Sequence, residues 1–137
     1  MHVYISYASN DKVKVTRLVR ELQDHGIRVW FDEDQVLPGD DLLEKMADGI
    51  NLCRRYIICL SPSFDKRPPQ SWVKHEFRLA MLRERNEASN IVIPVRIKAG
   101  GGIPSEIGLR AFADLTTTKR WSKNINKLIQ SLRANNA

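Results

Sequence analysis

Hydrophobic positions along the chain alternate between two kinds of pattern. His2 to Ser6 (HVYIS) is a short apolar run and predicts a first strand. The polar segment Tyr7-Ala8-Ser9-Asn10-Asp11 follows, and Ser9, Asn10 and Asp11 are each able to cap a helix. Val15, Leu18, Val19 and Leu22 then recur at i, i+3, i+4 and i+7, one face of an amphipathic helix that His25-Gly26 closes, with Gly26 just past its end. Ile27 to Phe31 (IRVWF) is β-branched and aromatic, a second strand with Trp30 directed to the core. After a polar connection, Leu42, Leu43, Met46, Ala47 and Ile50 form the next helical stripe, opened by Asp41 and Glu44 in capping-box spacing. Tyr56 to Leu60 (YIICL) is uninterrupted, as expected of a central strand covered on both faces.

Ser61 to Gln70, with Pro62, Pro68 and Pro69, reads as a loop, and Ser71 as the cap of a third helix running to about Glu84. Ile91 to Ile97 (IVIPVRI) is a fourth strand. Pro94 within it cannot donate to a ladder, so the strand should meet an edge or a bulge there. Ala99 to Pro104 is Gly-rich and expected to be flexible. Ala111 to Leu115 is a weak last strand, and Ile125, Leu128, Ile129 and Leu132 predict a terminal helix.

Strands alternating with helices imply a parallel sheet wrapped on both faces. Five strands with right-handed crossovers favour an α/β, flavodoxin-like three-layer sandwich of order 2-1-3-4-5. Ligands of such sheets sit at the carboxyl ends of the strands, here the loops after Ser6, Phe31 and Leu60. The length of 137 residues suits one domain, residues 1–137, possibly cut from a longer chain. No apolar run approaches the roughly 20 residues of a membrane span, and the N-terminus has no secretory pattern, so a cytoplasmic setting without a membrane partner is expected. Cys53 and Cys59, set in apolar sequence, read as buried free thiols. The net charge of +6 is spread over scattered lysines and arginines. A solvated basic surface fits that scatter better than a nucleic-acid face, and it would also attract an anionic dinucleotide.

Several chemistries found on this architecture are missing from the sequence. A phospho-receiver needs acidic residues after strand one and an aspartate ending strand three, where this chain has Ser6-Tyr7 and Leu60-Ser61. A dinucleotide-binding G-x-G-x-x-G turn needs glycines that YASND lacks, and there is no P-loop. No metal-ligand cluster, serine triad or reactive-cysteine arrangement is visible. Asp32, Glu33 and Asp34 could hold a cation, but an acidic loop has the same composition.

Four segments resemble, in order and spacing, the TIR (Toll/interleukin-1 receptor) domain family. VYISYASND resembles its first box, an apolar strand ending in Ser-Tyr. RVWFDEDQVLPGDDL resembles its second, where an acidic stretch precedes a Pro-Gly turn. SPSFDKRPPQSWVKHEF resembles the segment that leads into a Trp-x-x-x-Glu helix start. FADLT falls where the third box begins, without the usual Phe-Trp pair.

Members of that family divide into signalling scaffolds and enzymes that cleave the nicotinamide–ribose bond of NAD+. Membership of the bacterial-type enzymatic branch would make Glu76 the catalytic carboxylate, with NAD+ as substrate, no cofactor and no metal. Trp72, four residues earlier on the same helical face, would wall the pocket. Ser6, Tyr7, Ala8 and Asp32, at the ends of strands one and two, are the further candidates for substrate contact; Tyr7 could equally pack beneath its loop. In some enzymatic members the positions of Ala8 and Ser9 carry arginine, so this loop lacks a guanidinium for a phosphate. His75 is assigned to the surface, because adjacent helical residues point about 100° apart.

The resemblance also implies homotypic, head-to-tail association in immune or antiviral defence signalling. The connection carrying Val36, Leu37, Pro38, Gly39 and Asp40 is long for a strand-to-helix loop and has an apolar tip. Docking of that tip on a neighbouring TIR domain would complete the pocket around Glu76. The rival reading is a non-catalytic scaffold for TIR–TIR contact, and a nucleic-acid-directed activity is a third.

Overall fold

The computed structural model describes residues 2–31 and 37–134, with Phe31 described by its backbone alone. Five parallel strands, β1 (His2–Ser6), β2 (Arg28–Phe31), β3 (Arg55–Leu60), β4 (Val92–Arg96) and β5 (Ala113–Asp114), form one sheet of order β2-β1-β3-β4-β5. The helices are α1 (Lys12–Asp24), α2 (Leu42–Leu52), the single turn α3 (Pro62–Asp65), α4 (Trp72–Glu87) and α5 (Thr118–Arg133). This is the flavodoxin-like order expected from the alternation of periods.

Because side chains alternate along a strand, each central strand feeds two cores. Val3, Ile5, Tyr7, Ile57 and Cys59 join the stripes of α1 and α5, namely Val15, Leu18, Leu22, Trp121, Ile125 and Leu128. Tyr4, Tyr56, Ile58 and Leu60 face the other way and join Met46 and Ile50 of α2 with Val73, Phe77 and Ala80 of α4. Every residue of β3 is buried, as a strand between two helical layers requires. The α1/α5 layer is further tied where Trp121 Nε1 donates to Glu21 Oε2 at 2.6 Å and Arg17 lies 4.2 Å over the indole.

Local chemistry explains most boundaries. Asp41 caps α2 by accepting from the Glu44 amide at 3.1 Å, and Gly26 takes φ +79° just past α1. Leu37 to Asp40 forms a turn in which the Asp40 amide donates to the Leu37 carbonyl at 3.0 Å, with Gly39 at φ +93°. Pro94 is accommodated by its side of the strand. Ile97 donates to the Leu60 carbonyl and the Ile91 carbonyl accepts from Tyr56, so the odd positions of β4 face β3. The missing amide of Pro94 therefore points toward β5, which pairs only with Val95 and Arg96.

Four expectations need correction. The Ser61–Gln70 segment is not wholly loop, because Pro62–Asp65 makes a helical turn whose Phe64 amide donates to Ser61 Oγ at 3.1 Å. α4 runs to Glu87, past Glu84, and ends on Ala88 in the left-handed region. Leu42 and Leu43 do not belong to the buried stripe of α2: they are 50% and 63% exposed, while Met46, Gly49 and Ile50 carry the packing. Asp11 and Ser71 occupy cap positions, yet neither side chain caps its helix.

Candidate active site

The buried stripe of α4 contains Val73, Glu76, Phe77, Ala80 and Glu84, so two glutamates occupy positions that packing alone would give to apolar residues. Such groups persist only when they are answered. Glu84 is answered by a bidentate guanidinium, Arg110, at 2.6 and 2.9 Å, and by the Ile91 and Val92 amides at 2.9 and 2.8 Å. Burial alone would raise its pKa, but the Arg110 bonds and the two amides together hold the carboxyl below the ordinary range. Glu84 thus ties the end of α4 to β4 and to the approach to β5.

Glu76 is wholly buried and turned toward β1. Ser6 Oγ donates to its Oε1 at 2.9 Å, and the Tyr4 hydroxyl donates to Oε2. Residues 4 and 6 share one face of β1, which is why both reach the same helix. Tyr4 is fixed in turn by stacking on Tyr56, with ring centroids 5.4 Å apart. Gly49 of α2 lets the rings of Tyr4 and Trp30 come close, since a Cβ there would lie 2.8 Å from Tyr4 Cε2 and 2.6 Å from Trp30 Cε2. The arrangement is a carboxylate held by two hydroxyls at the carboxyl end of β1, beside the switch between β1 and β3.

The candidate residues from the sequence separate in space. Ser6 is brought to Glu76, and Trp72, half-buried one turn earlier on α4, packs against the same core. Tyr7 packs in the opposite core with α1 and α5. Ala8 is buried at the start of the polar loop. His75 is half-buried, its Nδ1 2.8 Å from Arg78 Nη2. Leu37, Pro38 and Gly39 are exposed and Asp40 half-buried; Leu37 is 64% exposed. Asp32, Glu33, Asp34 and Val36 lie outside the described residues. Among the described residues no group of three or more His, Cys, Asp or Glu side chains could hold a metal ion. No helix among them is long and apolar enough to cross a membrane.

Two features escaped the sequence. Tyr4 was legible only as a strand residue. Asp11 resembled a helix cap, but its buried carboxylate accepts from Ser61 Oγ and meets Lys98 Nζ at 3.2 Å, joining the ends of β1, β3 and β4. Cys53 and Cys59 are free and buried; burial pushes the Cys53 thiol up to about 12 and raises Cys59 further. A cavity of about 500 Å³ lined by Arg55, Asn90, Pro94, Arg110 and Phe112 opens at the other end of the sheet, where short β5 leaves β4 uncovered.

The family model described as "TIR domain" matches residues 3–129. Over 93 residues the chain is 33% identical to the 2' cyclic ADP-D-ribose synthase BtTIR of Bacteroides thetaiotaomicron, covering 67% of this chain and 31% of that protein. Over 94 residues it is 30% identical to the NAD(+) hydrolase TcpA of Theionarchaea archaeon (strain DG-70-1), covering 68% and 27%. The chain therefore spans less than a third of the length of these two relatives. The crystal structure of the TIR domain of the Toll-related receptor TRR-2 from Hydra magnipapillata superposes with a TM-score of 0.80 at 21% identity, over 96% of this chain and 98% of that one. At that identity the likeness shows the fold.

Proposed function

The chain belongs to the TIR domain family, and on that premise we propose that it cleaves the nicotinamide–ribose bond of NAD+ with Glu76 as the catalytic carboxylate. The observation that carries the reading is the buried Glu76 carboxylate at the ligand end of the sheet, with Ser6 and Tyr4 donating to it. The names of the two relatives, a hydrolase of NAD+ and a cyclic ADP-ribose synthase, support the same substrate.

The reaction asks for what a fixed carboxylate supplies. Nicotinamide leaves with the electron pair of the C1′–N bond and becomes neutral, so departure needs no acid. Positive charge develops on the ribose ring, and a preorganised carboxylate stabilises it without reorganising at the moment of reaction. The two hydroxyls set its orientation, and its remaining lone pairs serve the sugar. Water attacking C1′ loses a proton and gives ADP-ribose; a hydroxyl of the same molecule attacking instead gives a cyclic product. NAD+ is substrate here, and no cofactor enters the reaction.

Because Glu76 has no exposure, the groups above it must part before a ribose can reach it. We infer that head-to-tail association with a second TIR domain drives that opening. The exposed apolar side chains of Leu37, Leu42 and Leu43 supply the contact. Such coupling suits a cytoplasmic immune or defence signal that is silent until chains cluster. A non-catalytic scaffold would use the same surface and leave Glu76 without a chemical task. Nicotinamide release from NAD+ by the parent and by Glu76→Ala separates the two.

A further inference from the structure

The loop from Ser6 to Asp11 that borders Glu76 contains no lysine or arginine, and its one carboxylate, Asp11, is buried and met by Lys98. Yet a guanidinium sits on it. Arg67, from the loop between α3 and α4, crosses to it and donates from Nη2 to Ser9 Oγ at 2.7 Å and to Asn10 Oδ1. Most arginines described above work differently. Arg110 is neutralised by Glu84, Arg83 pairs with Glu87 and Arg120 with Asp114, while Arg54 and Arg55 hold the Ala134 carbonyl at the end of α5. Arg67 is held by neutral oxygens, and among the described residues no carboxylate forms an ion pair with it. Its charge is undiminished, and the N–H groups not directed at Ser9 and Asn10 remain as donors.

A second observation concerns the same place. The turn Ser9–Asp11 and the helix α1 that follows it both begin without a side-chain cap, because Asp11 turns instead to Ser61 and Lys98. The positive end of a 13-residue helix therefore adjoins the tethered guanidinium. Together they favour an anion with several acceptor oxygens.

We propose that Arg67 and the start of α1 form the diphosphate subsite of the dinucleotide site, so that a residue from the α3–α4 loop supplies the charge that the β1–α1 loop lacks. This rests on the NAD+ reading of Glu76. The spacing suits one ligand. Ser6 meets Glu76 at 2.9 Å, and Ser9, three residues on, lies within a chain reach of about 10 Å. Ribose at Glu76 and diphosphate at Arg67 are then parts of a single nucleotide. Arg67 acts on binding, and its planar fork suits phosphate oxygens better than an ammonium would.

The test compares NAD+ with nicotinamide riboside, which has the same scissile bond and no phosphate. Arg67→Gln should lower the ratio of kcat/KM for NAD+ over the riboside by about tenfold or more, mainly through KM, and Arg67→Lys should recover part of it. Calorimetry with ADP-ribose and with adenosine gives a readout that needs no turnover. ADP-ribose should bind Arg67→Gln about tenfold more weakly, with adenosine unaffected. An unchanged ratio with unchanged ADP-ribose affinity overturns the proposal while leaving Glu76 in place. A merely structural tie would lower the melting temperature and weaken both substrates alike, which also overturns it. If the parent cleaves neither substrate, the NAD+ reading fails by itself and the calorimetry still decides. Arg67-dependent ADP-ribose binding sustains the subsite, and its absence removes it.

Discussion

Gly49→Ala tests the packing that places Tyr4 against Glu76. A Cβ on residue 49 would lie 2.6 Å from Trp30 Cε2 and Nε1 and 2.8 Å from Tyr4 Cε2, well inside the roughly 3.5–4.0 Å of ordinary carbon contact. Two effects oppose each other. Alanine in a helix interior is favoured over glycine by about 1 kcal/mol, whereas overpacking a core costs about 1–3 kcal/mol. The tyrosine cannot retreat, because it is fully buried and stacked on Tyr56; Trp30 is half-buried and able to turn outward. The upper part of the overpacking range then applies, leaving a net loss of about 1–2 kcal/mol. For a domain of this size that is a melting temperature lower by about 3–8 °C. Thermal and urea denaturation of the parent, Gly49→Ala, Trp30→Leu and the double variant measure the effect. The smaller side chain at 30 should relieve the clash and give a favourable coupling of about 1 kcal/mol. A Gly49→Ala protein as stable as its parent would mean that helix propensity decides the sign and that the rings do not approach as described.

Arg110→Met should destabilise by about 3 kcal/mol, because it leaves a buried carboxylate without its cation; urea unfolding measures this. The pKa of Glu84 is depressed in the fold, so its contribution is complete above the unfolded value of about 4.3 and is lost as pH falls through the lower folded value. Glu84→Gln should therefore flatten the acid limb of the stability curve. Cys53 and Cys59 should resist a thiol reagent at pH 8 in the native state and both react in denaturant; rapid native labelling would contradict their burial. Specific activity should rise with protein concentration, and Leu37→Asp should blunt the rise while shifting the melting temperature little, since that side chain is 64% exposed. Activity flat over a hundredfold dilution of a monomer would remove association from the mechanism.

The strands were readable because this fold buries them almost completely. The run from Tyr56 to Leu60 has no polar position to interrupt it, and all of β3 is buried. The long-range polar ties were not readable. Arg110 and Glu84 stand 26 residues apart and Ser61 and Asp11 stand 50 apart, and no local period connects either pair. Asp11 looked like a cap because cap signatures are local, while its partners arrive only when β3 and β4 are in place. Leu42 and Leu43 fit a helical stripe by spacing, yet the first turn of α2 extends past the core, so both stay exposed. At the candidate site, resemblance singled out Glu76. The hydroxyl of Tyr4 that meets it depends on which face of β1 turns to α4, and residue identity alone does not give that.

The central claim is that Glu76 is a working carboxylate and not a buried structural acid. Nicotinamide release from NAD+ by parent and Glu76→Gln, at several protein concentrations and with folding checked by thermal melting, tests it most directly. The isosteric amide keeps the volume and removes the charge. The account predicts that kcat falls by about a hundredfold or more while the protein stays folded. Turnover unchanged in a folded Glu76→Gln protein, or no turnover by the parent at any concentration, would contradict it.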